Sequence, residues 1–114
     1  MEKIVQQTLL FDFYGELLTK HQQRIYEDVV CNDMSYSEVA AQQGVSRQGI
    51  HDLIKRCNRQ LEDYEAKLQL VEKFLDIQGK VRDMLREMEL AEREKRMPDM
   101  QVIIRISDEI LEEL

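Results

Sequence analysis

The sequence predicts an all-α protein: a helix-turn-helix domain, winged-helix-like or an orthogonal bundle, followed by a C-terminal helical hairpin. Three observations carry that reading. Apolar residues recur at steps of three and four along nearly the whole chain, the spacing of one face of an α-helix. The only β-branched run, Val102-Ile103-Ile104-Arg105-Ile106, has flanks that continue at helical spacing. Helix start and stop residues, among them Thr19, Ser35, Gly44, Ser46 and Pro98, punctuate the pattern.

Leu9, Leu10, Phe13, Tyr14, Leu17 and Leu18 form the stripe of a first amphipathic helix. Thr19 reads as the N-cap of a second, because its hydroxyl can accept a first-turn amide. That helix turns Ile25, Tyr26, Val29 and Val30 inward and ends at Asn32-Asp33. Ser35-Tyr36-Ser37-Glu38 fits a capping box, which opens a short third helix with Val39 and Ala40 facing the core. Gly44 stops it, since glycine enters the left-handed conformation without steric cost. Ser46 caps the next helix, whose seam is Ile50, Ile54, Cys57, Leu61, Tyr64 and Leu68.

A second seam follows: Leu70, Phe74, Ile77, Val81, Met84 and Met88. The two-residue jump from Leu68 to Leu70 breaks the register, so a break or sharp bend is expected near residues 67–70. Gly79 lies within this seam, where it weakens the helix or lets a neighbour approach closely. Pro98 removes a backbone donor and ends the charged stretch before it. A last helix begins at Asp99, with Val102, Ile103, Ile106, Ile110 and Leu114 on one side. The expected domains are residues 1–66, a helix-turn-helix unit, and residues 67–114, an extension packing on it in one compact whole and dimerising.

The chain has 114 residues, 43% of them apolar, enough for one compact core. A formal charge of -7 argues against an indiscriminate nucleic-acid coat. The charge is uneven: residues 1–45 carry -4, residues 46–59 carry +3 and residues 60–114 carry -6. A single basic island thus sits between two acidic blocks. No basic segment followed by an unbroken apolar run opens the chain, and no stretch approaches the ~18 apolar residues of a membrane span. Cys31 and Cys57, far apart and outside any CxxC spacing, read as reduced, partly buried thiols of a cytosolic protein.

Tyr36 to Arg56 has the layout of a helix-turn-helix. Ala40 is small where the helices cross, Gly44 supplies the turn, Val45 plugs the space beneath it, and Ile50 and Leu53 hold the second helix down. Gln43 departs from the pattern in a slot that is usually apolar. The second helix then presents Ser46, Arg47, Gln48, His51, Asp52, Lys55, Arg56 and Arg59 outward. Ser46 and the free amides of the first turn suit a phosphate. Arg47 and Gln48 stand where side chains reach base edges, Arg pairing with guanine and Gln with adenine. Lys55, Arg56 and Arg59 would follow the backbone, with His51 between. Asp52 repels a phosphate and, as a solvated face, would pair with Arg56. Nucleic acid and protein are both open as partners of this face.

Enzymatic signals are missing: no Gly-rich phosphate loop, HExxH pair or nucleophile elbow occurs. No catalytic residue, metal ligand set or cofactor is expected. His21 reads as a surface residue at a helix start. Met84, Met88, Met97 and Met100 read either as core filler or as an adaptable binding surface.

The run Leu10-Phe11-Asp12-Phe13-Tyr14-Gly15-Glu16-Leu17-Leu18-Thr19-Lys20-His21-Gln22-Gln23-Arg24, then Tyr36 to Ala40 and Gly44 to Ile50, resembles the YlxM family (UPF0122, p13-like) of small bacterial proteins. Ile54-Lys55-Arg56, Leu61, Tyr64-Glu65 and Lys67-Leu68 continue the likeness, which covers roughly residues 5–75. The resemblance implies a helix-turn-helix similar to the fourth region of bacterial sigma factors, carried by Leu18-Thr19, Gln23-Arg24, Tyr36 to Ala40 and Gly44 to Ser46. Segments resembling those that bind polymerase or melt DNA do not occur. The family's link to the signal recognition particle, through gene neighbourhood with its GTPase and receptor, implies an accessory role in protein targeting. The expectation is a cytoplasmic, non-enzymatic homodimer that binds DNA, RNA or a ribonucleoprotein. The alternative is a protein–protein adaptor for the targeting GTPase.

Overall fold

The computed structural model describes residues 2–114. Helices α1 (Lys3–Tyr14), α2 (Lys20–Tyr26), α3 (Tyr36–Gln43), α4 (Arg47–Leu68), α5 (Leu70–Arg93) and α6 (Met100–Glu113) account for most of the chain. No strand occurs among the described residues. The fold is all-α with a helix-turn-helix at α3–α4, as the periodicity predicts. The chain clusters into two compact units, residues 1–71 and 72–114.

In the first unit, α1, α2 and α3 all pack against α4. Tyr14, Ile25, Tyr26, Val39, Ile50, Cys57 and Leu61 are the largest fully buried side chains. The seam expected on α4 is buried through Ile50, Ile54, Cys57 and Leu61, whereas Leu68 is half in water. On α1 the expected stripe holds only in part. Leu10, Tyr14 and Leu18 are buried, but Phe13 and Leu17 are exposed. The helix ends at Tyr14 and a 3₁₀ turn, Gly15–Leu17, tightens the rotation per residue, so Leu18 rather than Leu17 returns to the core.

Short-range hydrogen bonds set the joints. Thr19 and Gln22 form a reciprocal capping box at α2, and Ser35 and Glu38 form another at α3. Beyond α2 the backbone widens into a π turn, Glu27–Cys31, with Asn32 donating to the Glu27 carbonyl at 2.9 Å. α4 stops where Gln69 adopts a left-handed conformation, φ 54°, inside the segment where the register jump places a break. Tyr14 and Glu65 then cap the start of α5. The Tyr14 hydroxyl donates to Glu65 Oε1 (2.5 Å) and accepts from the Leu70 amide (3.1 Å), and Glu65 Oε1 accepts from the Val71 amide (3.0 Å).

In the second unit α5 and α6 run antiparallel, with Lys80 Nζ 2.8 Å from Glu113 Oε1. The expected stop at Pro98 comes earlier. α5 ends at Arg93, Lys95 turns left-handed at φ 54°, and the Arg96 amide bonds the Ala91 carbonyl at 2.9 Å. Asp99 caps α6 by accepting from the Gln101 and Val102 amides. Ile106 is buried on α6, but Leu114 is exposed. Of the four C-terminal methionines, Met88, Met97 and Met100 are exposed and Met84 is half-buried.

Gly79 has open space around it: a Cβ built there meets no atom within 4 Å. Replacing it with Ala is therefore expected to stabilise α5 by about 0.5–1 kcal/mol through helix propensity. Chemical denaturation of the Gly79→Ala chain checks this, and a loss of stability would contradict it.

Candidate nucleic-acid interface

The turn between α3 and α4 is built by backbone geometry. Gly44 sits at φ 68°, ψ 31°, the left-handed region, and its amide bonds the Ala40 carbonyl. The Val45 amide bonds the same carbonyl at 3.1 Å, closing a Schellman motif. Val45 itself is 51% exposed rather than a plug under the turn. This motif needs the Val45 amide more than its side chain. Gln43 is half-buried in its usually apolar slot.

Ser46 then starts α4, its Oγ accepting from the Gly49 amide at 3.0 Å. Such a cap contributes about 1 kcal/mol. A Cβ on Gly49 would approach Ser46 Oγ to 3.3 Å. The glycine thus gives the cap hydroxyl room as well as loosening the first turn.

At 100° per residue, Arg47, Gln48, His51, Lys55 and Arg59 fall within about one third of the helix circumference. Arg56 lies about 60° beyond that arc. The buried seam of Ile50, Ile54, Cys57 and Leu61 begins beside the Arg47 edge of the arc, its centre about 110° from the arc's middle. Ser46, Arg47, Gln48, His51, Lys55, Arg56 and Arg59 are all exposed. From Arg47 to Arg59 the expected site residues thus share one half of the helix circumference over about three turns, with Ser46 capping its start. Beyond Arg59 the face changes sign, with Glu62 and Asp63 next along it.

Among the described residues, Arg47, Lys55, Arg56 and Arg59 enter no ion pair. In the second unit, three cations, Lys80, Arg86 and Arg96, are bound to carboxylates. The cations on α4 are thus available to an external anion. The expected Asp52–Arg56 pair does not form. Asp52 Oδ1 instead accepts from Gln48 Nε2 at 3.0 Å and lies 3.7 Å from His51 Nδ1. Asp52 thereby engages Gln48, the residue that the sequence pattern offers to adenine.

Tyr36 is a site residue that sequence reading placed only as part of the motif. Its ring meets the His51 ring edge-on, centroids 5.7 Å apart and planes at 74°. Tyr36, Arg47, Gln48 and His51 line an open cleft of about 320 Å³. An aromatic at the first position of α3 was the available signal. Its meeting with a residue 15 positions on required knowing how α3 crosses α4.

No group of side chains suited to a metal ion occurs among the described residues, and both cysteines are free thiols. Cys57 is buried, and burial pushes its thiol up to about 11, with the Arg56 guanidinium acting the other way. Cys31 is exposed, not partly buried, because it sits at the open end of the π turn. What burial it has raises its thiol too, assisted by Glu27 and Asp12. Near neutral pH both remain protonated and weakly nucleophilic.

The sequence model of a family described as "Putative helix-turn-helix protein, YlxM / p13 like" matches residues 1–102. The chain belongs to this family, UPF0122. Among its relatives, a UPF0122 protein of Thermoanaerobacter sp. (strain X514) is 38% identical over 107 residues, 94% of this chain and 89% of the relative. A UPF0122 protein of Acetivibrio thermocellus is 42% identical over 88 residues, 77% of this chain and 75% of the relative. One from Desulforamulus reducens is 48% identical over 66 residues, 58% of this chain and 56% of the relative. The UPF0122 match extends through α5 and stops at the third residue of α6, so the family's shared sequence includes α5 as well as the helix-turn-helix. No helix among the described residues is long and apolar enough to cross a membrane.

Proposed function

We propose that this UPF0122 protein is a non-enzymatic cytoplasmic regulator that binds nucleic acid, or a ribonucleoprotein, through the exposed face of α4. The observation that carries the reading is the cluster of Arg47, Lys55, Arg56 and Arg59, exposed on one helix of a helix-turn-helix and without carboxylate partners. Ser46 and the first-turn amides supply an anion site at the end of the same face. Arg47, Gln48 and His51 border the cleft beside Tyr36, where a base edge or ring can be met by hydrogen bonding and stacking. The acidic remainder of the chain confines contact to this face through long-range repulsion.

The ligand is DNA or RNA. The pathway is that of the signal recognition particle, whose components are the ribonucleoprotein partners in view; this part rests on the family's implied link. Self-association into a homodimer belongs to the same reading, since two copies double the phosphate contacts available to one nucleic acid. Asp52, holding Gln48 and His51 in the centre of the face, favours a second reading, an adaptor that docks on the targeting GTPase without nucleic acid.

A pull-down from bacterial lysate, with and without nuclease, separates the two. Nucleic acid retained at low salt, with partners lost on nuclease treatment, is the expected result. Retention of the GTPase after nuclease, with no detectable DNA or RNA binding by the purified chain at low salt, would overturn the first reading in favour of the adaptor.

A further inference from the structure

Two contacts fix which sides of α5 and α6 meet. Lys80 Nζ lies 2.8 Å from Glu113 Oε1, and Ser107 Oγ donates to Met84 Sδ at 3.5 Å. Ala91 and Ile106 are buried along the same line. Val81, Leu85 and Met88 lie roughly 60–120° round α5 from it, and Met100, Ile104 and Leu111 lie a similar angle round α6 in the same rotational sense. In an antiparallel pair, equal rotations of the same sense bring both stripes to one side of the hairpin. The six side chains therefore form one face, and they are between 44% and 68% exposed. Together they offer water ~600 Å² of apolar surface, the top of the range for the largest patch on a monomer.

The edges of this face carry opposite charge. Arg82 stands on the outer edge of α5 and Asp108 on the outer edge of α6, each turned away from the other helix of the hairpin. Neither enters an ion pair among the described residues. The Lys80–Glu113 and Met84–Ser107 contacts place Arg82 and Asp108 at heights that differ by less than about one helical turn.

We propose that this face is occupied by a second copy of the chain, related by a two-fold axis running parallel to α5 and α6. This specifies the self-association named above and rests on it. That axis lays α5 of one copy over α6 of the other, antiparallel, in a four-helix arrangement. It sets Arg82 of each copy against Asp108 of the other at matching height, so the charges complement twice. A two-fold axis running across the helices would instead set each Arg82 edge against its own copy. With the charged edges included, this face has up to ~800 Å² per copy to bury, enough for an interface of standard size.

The test uses the full chain in sedimentation velocity from about 1 to 100 μM. The expected result is a dimer whose dissociation constant rises at least ~100-fold in Ile104→Asp, with helicity unchanged because Ile104 lies outside the core. Arg82→Asp and Asp108→Arg should each weaken the dimer by about tenfold, and combining them in one chain should restore it to within about threefold. A wild-type chain that is monomeric at 100 μM overturns self-association itself. A dimer indifferent to Ile104→Asp and to the charge reversals overturns only this face. Weakening by both reversals without recovery in the double variant overturns the two-fold arrangement.

Discussion

Replacing Lys55, Arg56 and Arg59 together by Ala is expected to weaken nucleic-acid binding by roughly a hundredfold at 0.1 M salt. The same change should flatten the slope of log K against log salt by about 2.7 on duplex DNA and about 2.1 on a single strand. The physical basis is counterion release: each cation seated on a phosphate frees condensed ions, and removing three removes three such events. All three side chains are exposed, and the buried seam of α4 runs along its other side, so the fold should be untouched. Fluorescence anisotropy with labelled duplex DNA and single-stranded RNA, titrated from 50 to 200 mM salt, provides the measurement. Equal slopes for the wild type and the triple variant would show that these cations do not meet phosphates.

A second large effect is expected in the core. Tyr26 is 0% exposed, stacks on Phe11 with centroids 5.2 Å apart, and donates from its hydroxyl to Asn58 Oδ1 at 2.6 Å. Tyr26→Ala should cost about 3–5 kcal/mol, the range for truncating a large buried aromatic. A small domain has only about 5–15 kcal/mol in total, so this variant should be largely unfolded at modest temperature. Tyr26→Phe keeps the ring and loses one hydrogen bond, about 1 kcal/mol, since Asn58 Oδ1 still accepts from Gln7 Nε2. Urea unfolding followed by circular dichroism measures both. Equal losses for the two variants would assign the stability to the hydroxyl rather than to ring packing.

Much of the site was legible because its determinants are local. A cap hydroxyl bonds an amide three residues away, so Thr19, Ser35 and Ser46 announce their helices without reference to the rest of the chain. Gly44 declares its turn for the same reason: the left-handed conformation is a property of one residue. The arc of Arg47, Gln48, His51, Lys55 and Arg59 follows from helical spacing once α4 is recognised. Asp52 was legible as a charge but not in its choice of partner. Gln48 and Arg56 are both four residues from it, and rotamers decide between them.

Other features depend on residues far apart in sequence. Nothing near Tyr14 announces that its hydroxyl will reach Glu65 and the Leu70 amide, more than 50 positions on. Tyr36 and His51 meet only because α3 crosses α4 where it does. The π turn at Glu27–Cys31 adds a residue to the helical ring without any compositional sign. The exposure of Leu17 likewise follows from a 3₁₀ turn that hydrophobic spacing does not register.

By itself, then, the sequence determined the helices, their caps, the α3–α4 turn and the basic side of α4. These arise from hydrogen bonds and periodicities spanning at most a few turns of one helix. Tertiary structure decided which apolar residues the core accepts, how Tyr14 and Glu65 start α5, and which side of the α5–α6 hairpin stays open. Those outcomes depend on how whole helices rotate and cross, a balance of packing among side chains distant in the chain.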